Sequence, residues 1–313
     1  AKVDKNKYNA KIINEQSVLK NPSFPTQLGV IIENESIERL ELKDLRFLEL
    51  KEQNFLNQLK SFHKTSIKVA IIGTLGSSIS QMISGMAALR IFYNKLKEIY
   101  KVVKLDVYIK ASNNSYYNRD KSIYATQDYI NEILPLAINS KTICEYDYFV
   151  DNSIDITKIL DINPVDAWLF KFGIDYKKIS DLEKFSQLKT DQFELTKGLK
   201  QKIQESKQRG KLLLFHPYSA NINKSIPQNF AIEILKNLID KLDDYTIVST
   251  LLIDSKIKAD NFLDLSSYSK SIEDFIYIVS SCDKLITAYT SALHIADCFM
   301  IPTVCIATFK EYE

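Results

Sequence analysis

The chain predicts an α/β fold built from two doubly wound parallel-sheet domains behind an N-terminal extension. Three observations predict it. Short apolar runs alternate with amphipathic helical stretches from Ile67 onward, and the alternation starts afresh at Leu212. Between the two blocks, from Asp175 to Gly210, the chain is charged, helical in pattern and free of strand-like runs. Before Ile67 the sequence is rich in Lys, Glu, Asn and Leu and only weakly periodic. The expected divisions are therefore 1–65, an extension; 66–175, a first Rossmann-like domain; 176–209, a helical linker; and 210–313, a second Rossmann-like domain.

Composition sets the limits. With 313 residues and 45% hydrophobic content, the chain is long enough for two ordinary cores. A net charge of +2 gives no field of the kind that nucleic acid selects, so no nucleic-acid partner is expected. The basic residues are mostly Lys, with Arg only at Arg39, Arg46, Arg90, Arg119 and Arg209. Cys144, Cys282, Cys298 and Cys305 form no CxxC pair, and three of them sit in apolar runs. Buried free thiols in a reducing compartment are the expectation. The sequence shows neither a signal-peptide pattern nor an apolar run of about eighteen residues. A cytoplasmic location is expected, with contact at the inner face of the membrane left open.

In the extension, "QLGVIIENESIERLEL" suits a hairpin around Asn34, Glu35 and Ser36. "LKEQNFLNQLKSF" has helix spacing at Leu50, Phe55, Leu56, Leu59 and Phe62. This segment is also where a second copy of the chain would pack, or it covers a face of the first domain.

The first block opens with "IKVAIIGT", a buried parallel strand ending in Gly. The following stretch carries Ile79, Met82, Ile83, Met86, Leu89, Phe92 and Leu96 on one face of a long helix. "KLDVYIKA" reads as a strand, "KSIYATQDYINEIL" as a helix and "YDYFV" as a strand; "NPVDAWLFKFGI" reads as a helix ended by Gly173. The second block has strands at 212–215, 245–249, 262–265, 284–287 and 303–306. Its helices lie at 227–242, 271–281 and 291–299, with a weak one at 254–259. Pro227 suits a first helical turn, and Ser271 with Asp274 makes a variant capping box.

Polar residues gather after the strands, where such sheets bind ligands. Gly73, Gly76, Ser77 and Ser78 follow the first strand, without a dinucleotide fingerprint. Ser219 and Lys224 follow the "LLLFHP" strand just before a helix. Lys224 suits either a solvated loop or a charge partner for a diphosphate. Thr290, Ser291 and His294 occupy the first turn of another helix, where an N-cap or an anion site would both place them. His216 reads as an oriented core or loop histidine.

In order, these segments resemble glycosyltransferase family 9, the lipopolysaccharide heptosyltransferase-like enzymes with the two-domain GT-B fold. "HPYSANINKSIPQNFAIEIL" resembles the family's HP-x-S…K-x-x-P…FA-x-L run. "SIEDFIYIVSSCDKLITAYTSALHIADCFMIPTVCI" resembles its helix, strand, D-[TS]-G-x-x-H-x-A turn and P-x-V-x-I strand. "IKVAIIGTLGSSISQMISGMAALR" resembles its first strand, Gly-Asp turn and long helix, and "NPVDAWLFKFGI" the helix before its interdomain link. The resemblance runs from about 66 to 306 and implies two domains facing a cleft.

It further implies a nucleotide-diphosphate sugar in the second domain and a glycan or protein acceptor in the first. No cofactor is expected, and the scarcity of Arg and the lack of a metal-binding cluster in the sequence favour a metal-independent mechanism. Ser219 and Lys224 would face the phosphates, and N–H groups around Thr290, Ser291 and Ala292 would cradle them. His294 would support that turn or reach the diphosphate, and Ile272 would line the base pocket. Gly76 and Ser77 would lie on the acceptor side, opposite Lys224.

The sequence departs from the family at two turns. Ser77 stands where the family has its expected base, an Asp, so Asp106, Asp120 and Asp147 are the alternatives. Tyr289 and Ser291 stand for the Asp and Gly of the D-T-G turn. The chain ends at Glu313, before the family's further C-terminal helices. A non-catalytic GT-B subunit, or another nucleotide-sugar chemistry such as epimerisation or hydrolysis, therefore stays beside sugar transfer.

Overall fold

The computed structural model describes residue 59 and residues 64–110, 113–138, 140–152, 157 and 162–307. The expected hairpin near Asn34 and all of the expected helix except Leu59 lie outside these residues. Leu59 is helical and buried, and its carbonyl accepts from the Tyr100 hydroxyl. The chain divides into two compact units, Ala1–Phe185 and Ser186–Glu313.

The first unit holds β1 (Ser66–Ile72), α1 (Ile79–Ile99), β2 (Val102–Ile109), α2 (Asn114–Ala125) and β3 (Glu132–Pro135). A short helix, α3 (Ser140–Ile143), then β4 (Tyr148–Asp151) and α4 (Pro164–Lys171) follow. Its sheet is parallel throughout, in the order β3-β2-β1-β4. β1 is nearly all apolar because both of its faces are covered. Met82, Ile83, Met86, Leu89, Phe92 and Leu96 bury the apolar face of α1, as their spacing predicts. Phe172, after α4, stacks on Phe92 at 5.0 Å and on Trp168 at 6.4 Å.

α2 differs from the expectation. It begins earlier, where the Asn113 side chain accepts from the Ser115 and Tyr116 N–H groups, and it ends at Ala125. The "EIL" expected in the helix forms edge strand β3 instead, paired with β2. Pairing with β2 here overrides the helix propensity of Glu132 and Leu134.

The second unit begins with an extended stretch and α5 (Leu199–Lys207). It continues with β5 (Lys211–His216), α6 (Gln228–Lys241), β6 (Tyr245–Ser249) and β7 (Phe262–Asp264). α7 (Ile272–Ser281), β8 (Lys284–Ala288), α8 (Ser291–Cys298) and β9 (Thr303–Ile306) complete it. The sheet is parallel, in the order β7-β6-β5-β8-β9. Phe215, Ile247, Leu235 and Ala288 belong to its core.

Of the expected linker 176–209, only α5 is α-helical; two short 3-10 turns precede it at Tyr176–Lys178 and Asp181–Glu183. The capping box of α7 is present as the sequence predicts, and it does more than cap. Asp274, buried in that box, also accepts from Thr196 N–H at 2.7 Å and Thr196 Oγ1 at 2.8 Å. It thereby fastens the stretch before α5 to α7. The weak helix expected at 254–259 is a set of turns, nucleated by Asp254 Oδ1 accepting from Lys256 N–H. Only Cys282 is buried; Cys144 and Cys305 are exposed and Cys298 is half-buried. Cys305 is exposed because β9 is an edge strand, which corrects the expectation of buried thiols. Among the described residues no helix is long and apolar enough to cross a membrane.

In each sheet the chain moves outward on one side of the first strand, then crosses to its other side. The crossover lies between β1 and β4 in one sheet and between β5 and β8 in the other. At such a switch point adjacent loops leave in opposite directions and open a crevice at the C-terminal strand ends.

Helix α1 approaches its own entry turn closely. A Cβ on Gly85 would stand 2.6 Å from Leu75 Cβ, at a buried site. Ala improves helix propensity by about 1 kcal/mol, but overpacking costs about 1–3 kcal/mol. Gly85→Ala is expected to lower stability, by up to about 2 kcal/mol net. A urea midpoint at or above wild type would show that Leu75 yields without cost.

Candidate functional site

The second unit carries a pocket of about 550 Å³ at the β5–β8 switch point. His216, Tyr218, Ser219 and Ala220 from the end of β5, Thr250–Leu252 after β6, and Ser269 and Phe275 line it, with Ser291 at the start of α8. Of the residues expected to hold a nucleotide-diphosphate sugar, Ser219 and Ser291 line this pocket.

The loop after β5 is folded by its own polar groups. Ser225 Oγ accepts from Ser219 N–H at 2.9 Å, and Asn221 Oδ1 accepts from Asn223 N–H at 3.0 Å. This builds the 3-10 turn Ile222–Lys224. Pro227 stands at the N-cap of α6, one residue before the place predicted. The Lys224 ammonium lies over the Tyr289 ring at 5.0 Å, and that ring meets His294 edge-on at 6.0 Å. Lys224, Tyr289 and His294 thus form one cluster beside the head of α8. Burial holds the His294 imidazole below its ordinary pKa, with Asp297 opposing.

The head of α8 is partly self-satisfied. Thr290 is its N-cap, and Thr290 Oγ1 accepts from Ala292 N–H at 3.2 Å. Ala292 is fully buried, so its N–H serves the cap. Thr287 Oγ1 donates within the same corner, to the His216 carbonyl at 3.0 Å or the Ala288 carbonyl at 2.8 Å, and lies 3.1 Å from Thr290 Oγ1. Ile272, expected in the base pocket, starts α7 but is not among the lining residues; Phe275, one turn on, is.

Thr250 and Phe275 line the pocket without having been singled out in the sequence, and His216, expected as an oriented core or loop histidine, lines it too. His216 is 7% exposed, its Nδ1 lies 2.9 Å from Thr250 Oγ1, and its ring lies 5.1 Å from that of Phe275. Burial pushes its pKa down to about 4, so the ring is neutral at pH 7. The HP dipeptide at a strand end was its only sequence signal.

At the corresponding edge of the first unit, Gly73 and Gly76 have φ of 103° and 83°, the left-handed turn that glycine permits. The Ser77 and Ser78 N–H groups donate to Gln81 Oε1 at 3.0 and 3.2 Å, so α1 is capped from within. The three carboxylates named in place of the missing base are placed as follows. Asp106 is buried within β2, accepting from Tyr146 at 2.8 Å and Asn131 at 2.7 Å. Asp147 precedes β4 at the N-terminal edge, bound to Lys68 N–H and Lys64. Asp120 is ion-paired with Arg119 on α2. Asp151 stands at the C-terminal edge, where it ends β4 in register with Ile72.

Solved structures share this architecture. Escherichia coli ADP-heptose lipopolysaccharide heptosyltransferase II aligns with a TM-score of 0.53 at 15% identity, over 77% of this chain and 85% of that one. The fold is the heptosyltransferase-like GT-B fold. Escherichia coli heptosyltransferase WaaC, solved with ADP-2-deoxy-2-fluoro heptose, aligns at 0.52 and 11% identity, over 79% and 91% of the two chains. A family 9 glycosyl transferase from Veillonella parvula aligns at 0.51 and 10% identity, over 76% and 80%. No family sequence profile matches the chain, and no curated protein sequence matches it. At 10–15% identity these likenesses show the fold, and the residues of the pocket carry any functional argument.

His216 has a consequence for acid stability. The unfolded ring takes up its proton near pH 6.5, the folded ring only near pH 4. The unfolded state therefore binds more protons in that window, and stability falls as pH is lowered through it. The full effect is roughly 3 kcal/mol. His216→Phe should unfold with a shallower pH dependence between 6.5 and 4 than wild type in thermal melts. Parallel curves would mean that the ring already charges in the folded state.

Proposed function

We propose that the protein is a glycosyltransferase that takes a nucleotide-diphosphate sugar in its second unit and a glycan or protein acceptor on its first. The observation that carries this reading is the pocket at the β5–β8 switch point, with Ser219, Ser291 and the Lys224 ammonium gathered around the head of α8. A leaving nucleoside diphosphate gains negative charge in the transition state. A helix N-terminus and a lysine stabilise that charge without a metal ion. Similar structures are described as binding ADP and an ADP-heptose analogue, which fits a diphosphate in this role.

The acceptor hydroxyl needs a base. Asp151 is our choice over Asp106, Asp120 and Asp147, because it ends a strand at the ligand edge of its sheet. The second reading is a GT-B relative without catalysis. What favours it is Gln81, whose side chain fills the head of α1, together with Ser77 in place of a carboxylate.

Two variants separate these readings. Lys224→Ala should weaken nucleoside-diphosphate binding by roughly 10- to 150-fold in calorimetric titration, the range of a charge-assisted contact. Equal binding by wild type and variant would remove the diphosphate from Lys224. Asp151→Asn should slow sugar transfer by about 10²- to 10⁴-fold while leaving nucleoside-diphosphate affinity unchanged. A wild type that binds nucleotide sugars yet releases no nucleoside diphosphate from them would favour the non-catalytic reading.

A further inference from the structure

We infer that His216 is a specificity residue of the pocket, holding a ribose hydroxyl of the nucleotide through Nε2. The inference rests on the nucleotide reading above and extends it to a residue to which the family resemblance gave no role.

The geometry carries the argument. His216 ends β5, the strand at the switch point, and pairs there with Thr287 of β8. It lines the pocket while being 7% exposed, so what it leaves accessible faces the pocket rather than open solvent. Nδ1 is engaged by Thr250 Oγ1, and no described residue pairs with Nε2. A ring held on one side by a hydroxyl and against Phe275 on the other cannot turn to satisfy Nε2 elsewhere. A ring nitrogen without a partner, on a residue that lines the pocket and is only 7% exposed, is placed to pair with a ligand.

The chemistry narrows the partner. Doubly wound folds commonly bind a ribose diol with a carboxylate. Among the described residues lining this pocket there is no Asp and no Glu. A neutral imidazole offers one donor and one acceptor, and the Thr250 hydroxyl accommodates either tautomer. Nε2 can then donate to, or accept from, a sugar hydroxyl, which can itself do both. The position agrees: Thr250–Leu252 and Phe275 form the more apolar part of the lining, suited to a nucleoside, while Ser219 and Ser291 lie toward the head of α8. His216 stands on the nucleoside side, joined to Thr250 and Phe275.

The competing group is Tyr218, whose hydroxyl is buried without a partner and which also lines the pocket. The test is calorimetric titration of the whole chain with ADP, GDP and UDP and with the 2′-deoxy and 3′-deoxy form of each. Wild type should bind the best ribonucleotide about threefold to tenfold more tightly than one of its deoxy forms, the span of one neutral hydrogen bond. His216→Phe, which keeps the aromatic packing, should bind the ribo form and that deoxy form alike. Tyr218→Phe should keep the wild-type preference. The inference fails if wild type ignores both deoxy changes, if His216→Phe retains the preference, or if Tyr218→Phe abolishes it. In each of those cases the nucleotide reading stands. Absence of any nucleoside-diphosphate binding by wild type removes both.

Discussion

The Thr287 hydroxyl is the point on which the second unit's site depends. It sits at the end of β8, buried, within 3.1 Å of the His216 carbonyl, the Ala288 carbonyl and the Thr290 hydroxyl. Those three groups belong to the end of β5, the end of β8 and the cap of α8. One small side chain therefore fixes the spacing of the two strands that bound the switch point and the helix that starts beside it. Val has the same shape but no hydroxyl, and would leave the corner without its central hydrogen-bonding group. The parallel ladder brings the strand ends to one edge; the hydroxyl holds that edge in a single arrangement.

Electrostatics in the pocket is sparing. Its histidine is neutral, no carboxylate is among the described residues that line it, and the Lys224 ammonium lies over an aromatic ring. Tyr289 gives the Lys224 ammonium a face to rest on while leaving its charge uncancelled by that contact, unlike an Asp at the same position. Such a corner suits an anion that brings its own charge and expects a helix head and one ammonium to meet it. The corresponding turn of the first unit is arranged differently. Gln81 accepts from two N–H groups there, so α1 starts on its own side chain. The two units share a topology and differ in what their helix heads have left to offer a ligand.

The alternation of strand and helix was legible because both sheets are parallel and buried. Parallel strands covered on both faces read as unbroken apolar runs, and their helices carry long apolar stripes. β6 and β9 were found residue for residue, and α7 was found with its cap. Edge elements were read less well. β3 was absorbed into a helix, because four residues cannot show a period and its partner is 26 residues earlier in register. The apolar run around Cys305 suggests burial, although an edge strand leaves it exposed.

The site divides along the same physical line. Sequence by itself determined which loops follow the strands, and so placed Ser219, Lys224, Thr290 and Ser291 in candidate turns. It could do so because chain direction and a parallel ladder send those loops to one edge. Only the tertiary structure decided which of them share a pocket, that Phe275 rather than Ile272 lines it, and that Asp147 stands at the far edge of its sheet. Only it turned His216 from a strand-end histidine into a lining residue. Its partners Thr250 and Phe275 lie 34 and 59 residues away in the chain, and only the sheet and the helix packing bring them together. Local pattern fixes direction and periodicity, whereas a binding surface is made by contacts distant in sequence.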